Sequence, residues 1–118
     1  MISVSAQGAT VIKQNYTSAI SGQSVQIDCE VQFGHLNVMA WYFGKEQLYY
    51  YHEGSEDHPA GQTKYSVKKL GQHFILNIKD LSLEDEGIYL CSSLASDATA
   101  HLLILGKYKF NLYFKVKS

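Results

Sequence analysis

The sequence predicts an all-β, two-sheet sandwich closed by one inter-sheet disulfide, and three observations predict it. The only two cysteines, Cys29 and Cys91, lie 62 residues apart, with the only tryptophan, Trp41, between them. The second cysteine ends the run Asp85-Glu86-Gly87-Ile88-Tyr89-Leu90-Cys91, where Tyr89 stands two residues ahead, as a tyrosine corner requires. Short stretches of β-branched, aromatic and alternating residues recur between turn signals, and no stretch reads as a long amphipathic helix.

Cysteine, tryptophan and tyrosine in this order form the frame of an immunoglobulin-type sandwich. Strands are expected near residues 10–13, 24–32, 38–44, 47–52, 64–68, 73–78, 87–93 and 102–116, the last broken at Gly106. In the second of these, alternation sends Val25, Ile27, Cys29 and Val31 inward and Ser24, Gln26, Asp28 and Glu30 to water. The third buries Met39, Trp41 and Phe43 and turns Ala40, Tyr42 and Gly44 outward. On the strand carrying Cys91, Tyr89 goes in, while Ile88, Leu90 and Ser92 face out. The Tyr-rich stretch Leu48-Tyr49-Tyr50-Tyr51-His52-Glu53-Gly54 lies where constant-type sandwiches have no added strands. There is room for roughly nine strands rather than seven, so the variable type is expected, as a single domain over residues 1–118. Alternation leaves the faces of Tyr49, Tyr50 and Tyr51 open, because a one-residue shift of register exchanges them.

Composition removes several function classes. Ten Lys plus Arg nearly balance eleven Asp plus Glu, so no basic field exists to hold nucleic acid. A paired-cysteine β domain belongs in an oxidising compartment. With both thiols consumed, neither is left as a nucleophile or soft metal ligand. Neither G-x-S-x-G, H-E-x-x-H, a Gly-rich phosphate loop nor a calcium-loop spacing occurs, so we expect no enzyme, no cofactor and no small-molecule substrate.

Other features concern placement. Asn15-Tyr16-Thr17 is a glycosylation sequon on an early edge strand. No cationic, apolar leader and no apolar run long enough to span a bilayer appears, so the chain reads as a trimmed ectodomain, with signal peptide, stalk, membrane span and tail outside it. Lys64 and Asp85 are expected to pair at the lower end of the sandwich, for at most about 1 kcal/mol if exposed. His35, His52 and His101 fall in the three loops that a variable sandwich gathers at one end. Separate, solvated histidines are expected there rather than a pH-sensitive or metal-binding apex. The outward Tyr42, Leu90, Leu103 and Leu105 put apolar surface where a lone sandwich shows polar groups, which marks a dimer interface.

The segment Lys69-Leu70-Gly71-Gln72-His73-Phe74-Ile75-Leu76-Asn77-Ile78-Lys79-Asp80-Leu81, with Glu84-Asp85-Glu86-Gly87-Ile88-Tyr89-Leu90-Cys91-Ser92-Ser93-Leu94, resembles the alpha chains of the T-cell co-receptor for class I MHC (cluster of differentiation eight). The Lys-x-Leu-Gly turn, the Phe-x-Leu strand, Glu-Gly-x-Tyr-x-Cys-Ser and the following Leu-x-Ser recur there in order. Leu105-Gly106-Lys107-Tyr108-Lys109 stands in place of the Phe-Gly-x-Gly-Thr joining signature of rearranged antigen receptors, which that family also lacks.

The resemblance implies a homodimer, or a heterodimer with a related beta chain, on the extracellular face of the plasma membrane, binding the membrane-proximal domain of the class I MHC heavy chain. It implies three ligand-binding loops. The first is Gln32, Phe33, Gly34, His35, Leu36 and Asn37, and the second is Tyr50, His52, Glu53, Gly54 and Ser55. The third, expected to be long, is Ser96, Asp97, Ala98, Thr99, Ala100 and His101. Glu53 stands where that family often has an amide, which implies a more basic ligand loop. Two other readings stay open, an antigen-receptor variable domain and a homophilic adhesion domain.

Overall fold

The computed structural model describes residues 8–58 and 63–106. In chain order the strands are β1 (Ala9–Val11), β2 (Tyr16–Ile20), β3 (Val25–Gln32), β4 (Val38–Phe43), β5 (Glu46–His52), β6 (Ser55–Asp57), β7 (Tyr65–Leu70), β8 (His73–Ile78), β9 (Gly87–Ser93) and β10 (Asp97–Leu105). One 3-10 turn, Leu83–Asp85, precedes β9. They form two sheets, ordered β1-β3-β8-β7 and β2-β10-β9-β4-β5-β6. Every pairing is antiparallel except β2 with β10, which run parallel.

The expected alternation holds in β3, where Ile27, Cys29 and Val31 are buried and Val25 is half-buried against the core. Cys29 and Cys91 are bonded, joining β3 of one sheet to β9 of the other. Trp41 is fully buried, and its indole Nε1 donates across the sandwich to the Phe74 carbonyl at 3.2 Å. Phe43 is half-buried and stacks on Tyr89 at 4.3 Å between ring centroids. Ala40 differs from expectation. It shares the outer face with its cross-strand neighbours Tyr50 and Ser92, yet it is buried, because its methyl group lies below the level of longer side chains on a central strand.

The register settles the tyrosine run. Tyr49 pairs with Trp41 and Tyr51 with Met39, so both point inward and are buried, while Tyr50 pairs with Ala40 and faces out. A bulge follows, where Tyr42 pairs with Gln47 and leaves Leu48 as the extra residue, itself buried in the core.

Two strands, β2 and β6, fall outside the expected ranges, although the sequon was placed on an early edge strand. In β2 the inward residues Thr17 and Ala19 are only half-buried while the outward Tyr16 and Ile20 are exposed apolars, so the strand carries no inward apolar stripe. β6 is exposed throughout and is defined only by its ladder with β5. The last strand also departs from expectation, beginning at Asp97 rather than near 102; residues 107–116 of its expected span lie outside the described residues.

The lower end is tied by polar groups. The Tyr89 hydroxyl donates to the Asp85 carbonyl at 2.6 Å, the tyrosine corner expected from sequence. Lys64 and Asp85 pair at 2.9 Å, and Lys64 also donates to the carbonyls of Lys79 and Asp80. Asp85 is buried and accepts from the Ser82 backbone N–H at 2.8 Å, so the pair is not the exposed one for which the smaller figure would apply. Removing Lys64 strands a buried carboxylate, and Lys64→Ala is expected to cost about 2 kcal/mol, less than a fully buried pair because the lysine is partly solvated. Equilibrium denaturation checks this as a lower midpoint at unchanged slope.

Burial, with the Tyr65 hydroxyl and the Asp85 carboxylate nearby, pushes the Tyr89 phenol far above its ordinary 10.0. Burial and the Glu56 carboxylate, which accepts its hydrogen bond at 3.0 Å, do the same for Tyr49. Their folded values are raised, so the stability they contribute is whole below pH about 10 and is lost as pH rises beyond it. Tyrosinate absorbance followed with far-ultraviolet circular dichroism should show these two phenols ionising only together with unfolding. Tyr89→Phe, which orphans the Asp85 carbonyl, should cost about 1–3 kcal/mol at neutral pH.

Candidate recognition surfaces

Two surfaces carry the residues singled out by sequence, the outer face of the six-stranded sheet and the end of the sandwich where β3–β4, β5–β6 and β9–β10 turn.

On the outer face, Tyr42 and Leu90 are direct cross-strand partners and both half-buried. Leu103 and Leu105 lie lower on β10, beside Ser18 and Ile20 of β2. The four are therefore brought to one face as two groups, with Thr99 and His101 between them along β10. Ile88, Tyr50, Val38 and Tyr16 extend the surface, with Ile88 and Leu103 each about half exposed at 49% and 47%. Of these, Tyr16 and Ile20 were missed because β2 fell outside the expected ranges. A shallow hollow of about 430 Å³ lies in the lower half, lined by Tyr16, Ser18, Ile88, His101 and Leu103 among others. The face is therefore mixed, with apolar groups separated by Thr99, His101, Ser18 and Ser92.

At the loop end the first loop is real but partly committed to the fold. Gln32 closes β3, and Phe33 turns inward, stacking on Tyr51 at 6.0 Å and meeting Phe74 edge-on at 5.9 Å. It anchors the loop instead of presenting a side chain. Gly34 is also half-buried; it lies so close to Gly8 that a Cβ on Gly8 would stand 2.8 Å from its nitrogen. His35, Leu36 and Asn37 are left exposed at the tip.

The second loop shrinks to a turn. Tyr50 and His52 belong to β5 and Ser55 to β6, leaving Glu53 and Gly54, both with positive φ, at 49° and 91°. Glu53 is not a free carboxylate. Its Oε2 accepts from the Asn37 backbone N–H at 2.6 Å, and its own N–H donates to the Asn37 carbonyl at 2.8 Å. The charge expected to meet a basic ligand loop also clasps the first loop to the second through one of its two oxygens.

The third loop is short, contrary to expectation. Asp97, Ala98, Thr99, Ala100 and His101 lie in β10, because ladder pairing resumes at once with Asp97 opposite Ser92. Only residues 94–96 turn. Ser93 accounts for this closure: its N–H donates to the Ser96 carbonyl at 2.9 Å, and its hydroxyl accepts from the N–H groups of Ala95 and Ser96. Thr10 of β1 adds a second hold, its hydroxyl 2.8 Å from that of Ser93 and its N–H donating to the Ser96 hydroxyl. Leu94 is left 69% exposed. A Ser-x-x-Ser closing a hairpin was the readable signal for this turn.

The histidines therefore do not converge. His35 and His52 are near the loop end, whereas His101 sits within β10 opposite Ile88 and stacks on Tyr16 at 4.7 Å. No group of three His, Cys, Asp or Glu side chains among the described residues is placed to hold a metal ion. Asn15 is exposed immediately before β2, and its carbonyl accepts from the His101 N–H at 2.8 Å. No helix among the described residues is long and apolar enough to cross a membrane.

Comparison with known proteins matches residues 12–102 to the family described as the immunoglobulin V-set domain. A human relative, "Probable non-functional immunoglobulin kappa variable 1D-42", is 30% identical over 80 residues, covering 65% of this chain and 68% of that protein. Among solved structures, a chain from the complex of Dpr1 IG1 bound to DIP-eta IG1 superposes with a TM-score of 0.69 at 17% identity, over 83% of this chain and 96% of that one. A titin domain gives 0.64 at 19% identity, over 84% and 97%. At such identities the structures establish shared fold alone.

The Glu53 clasp is open to a direct test. Glu53→Ala should speed amide exchange at Asn37 about fivefold, the effect of roughly 1 kcal/mol for a charged hydrogen bond weakened by exposure, while Glu53→Gln, which still accepts, should change it less. Amide exchange followed by NMR distinguishes the two.

Proposed function

The chain belongs to the immunoglobulin V-set family, and from that premise we propose that it is a non-enzymatic, invariant recognition domain of the T-cell surface. In this reading it pairs side by side through the outer face of the six-stranded sheet, and the paired loop ends engage the membrane-proximal heavy-chain domain of class I MHC. The observation that carries the invariant part is the third turn. A three-residue connection held by Ser93 and Thr10 is a short, pre-ordered turn, which supports a fixed contact surface over a long antigen-binding loop.

The apolar groups of the outer face support pairing, because Tyr42, Leu90, Leu103 and Leu105 share that face with Ile88 and Tyr50. The resemblance of the segment from Lys69 to Leu94 supports the choice of ligand. Among the described residues, His35, Leu36 and Leu94 are exposed at the loop end and available for contact, while His52, also exposed, stacks on Tyr50. Such a surface is small, which suits a weak, rapidly exchanging contact.

The similarity to a variable domain and to an immunoglobulin domain bound to another immunoglobulin domain favours a second reading, a domain that recognises other members of its own fold. Two measurements separate the readings. Sedimentation should show a dimer at micromolar concentration that Leu90→Lys dissociates while leaving the fold intact by circular dichroism. Surface plasmon resonance should show weak binding to class I MHC ectodomains, reduced at least several-fold by Leu36→Asp. A monomer would overturn side-by-side pairing, and no class I binding at high micromolar concentration would sink the ligand assignment.

A further inference from the structure

We infer that Asn15 carries an N-linked glycan and that this sugar shields an open edge of the six-stranded sheet. The sequon Asn15-Tyr16-Thr17 leads directly into β2, which ends that sheet. Among the described residues no strand pairs with β2 on its far side.

The hydrogen-bond pattern identifies the open groups. The His101 N–H donates to the Asn15 carbonyl, and the Ser21 N–H donates to the Leu105 carbonyl. With Tyr16 opposite His101 and Ile20 opposite Leu105, residues 15, 17, 19 and 21 turn their backbone groups toward β10. Tyr16, Ser18 and Ile20 therefore turn theirs away from the sheet. Of these, the Ile20 carbonyl is taken by the Gln23 N–H at 3.0 Å. The rest form a short template for another strand.

Natural edges are protected by charge, proline or a covering element. β2, Tyr-Thr-Ser-Ala-Ile, has neither charge nor proline, and its outward Tyr16 and Ile20 are 69% and 40% exposed. A glycan rooted at its first end supplies a protection that the described residues do not. Asn15 is exposed in the folded domain, so a sugar there displaces no core group.

The Asn15 side-chain nitrogen attacks the anomeric carbon of an oligosaccharide carried on a polyisoprenyl diphosphate. The carbon–nitrogen bond forms as the bond to the diphosphate oxygen breaks, the diphosphate leaves with the electron pair, and the amide gives up one proton. Thr17 faces inward opposite Leu102 once β2 has docked, so the sequon is read before that strand joins the sheet.

The test uses the full chain secreted from mammalian cells. Treatment with peptide-N-glycosidase F in ¹⁸O water should place labelled aspartate at position 15 in the parent and in Thr17→Ser, and none in Thr17→Ala. Absence of label in the parent overturns the site. For the shield, Asn15→Gln should show a weight-average mass by sedimentation that rises at least twofold above that of the glycosylated parent as concentration increases. Ser18→Pro added to it removes an outward N–H without breaking the ladder to β10, and should restore the parent's behaviour. Ser18→Lys, which keeps the backbone intact, is the second block should the proline variant not fold. An Asn15→Gln protein that sediments like the parent, or larger species that persist with both blocks, overturns the shielding role.

Discussion

Two neighbouring links across the sandwich hold everything else in place. The Cys29–Cys91 bond joins β3 to β9, and beside it the Trp41 indole donates to the Phe74 carbonyl. The neighbours are set by register: Trp41 pairs with Cys91 in one sheet, and Phe74 pairs with Cys29 in the other. A covalent bond and a buried hydrogen bond thus clamp four strands at one level. Because side chains alternate along a strand, clamping one residue inward on each of these strands decides the face of all its others. The outer face of the six-stranded sheet, with Tyr42 beside Leu90, follows from burying Trp41 and Cys91.

From that level the two ends of the domain differ in how they are closed. The lower end is closed around Asp85, which receives Lys64 and the Ser82 N–H on its carboxylate and Tyr89 on its carbonyl. Asp85 and Tyr89 are buried, so losing a partner leaves either group without water, whereas Lys64 stays partly solvated. The loop end is closed by local backbone recognition, Glu53 with Asn37 and Ser93 with Ser96. These contacts are exposed and individually weak, yet they limit how far each loop can move. A short, pre-ordered loop end loses little conformational freedom on binding and offers few side chains for it.

Legibility in the sequence tracked burial. β3, β4, β8 and β9 have one strongly apolar side, and their extents were readable to within a residue or so. β2 and β6 were not, because an edge strand is defined by hydrogen bonds to a neighbour remote in sequence rather than by its own pattern. The same reason explains the third loop. Asp97, Ala98 and Thr99 contain little apolar signal, so they read as loop, but pairing with Ser92, Cys91 and Leu90 makes them strand. Phe33 and Glu53 were chosen for their positions near the loop end, and both proved to act within the fold, one through ring contacts and the other through a backbone clasp.

By itself the sequence determined the sandwich, its disulfide, the tyrosine corner and the inward set on the strands that carry them. Each depends on residue type at fixed spacing, which alternation converts directly into position. Only the tertiary structure decided the faces of Tyr49, Tyr50 and Tyr51, the shortness of the third turn and the role of Glu53. These depend on the register between strands and on which backbone groups meet across a turn. Such meetings arise between residues 16 apart, as in Asn37 and Glu53, or 83 apart, as in Thr10 and Ser93, and no local pattern encodes them.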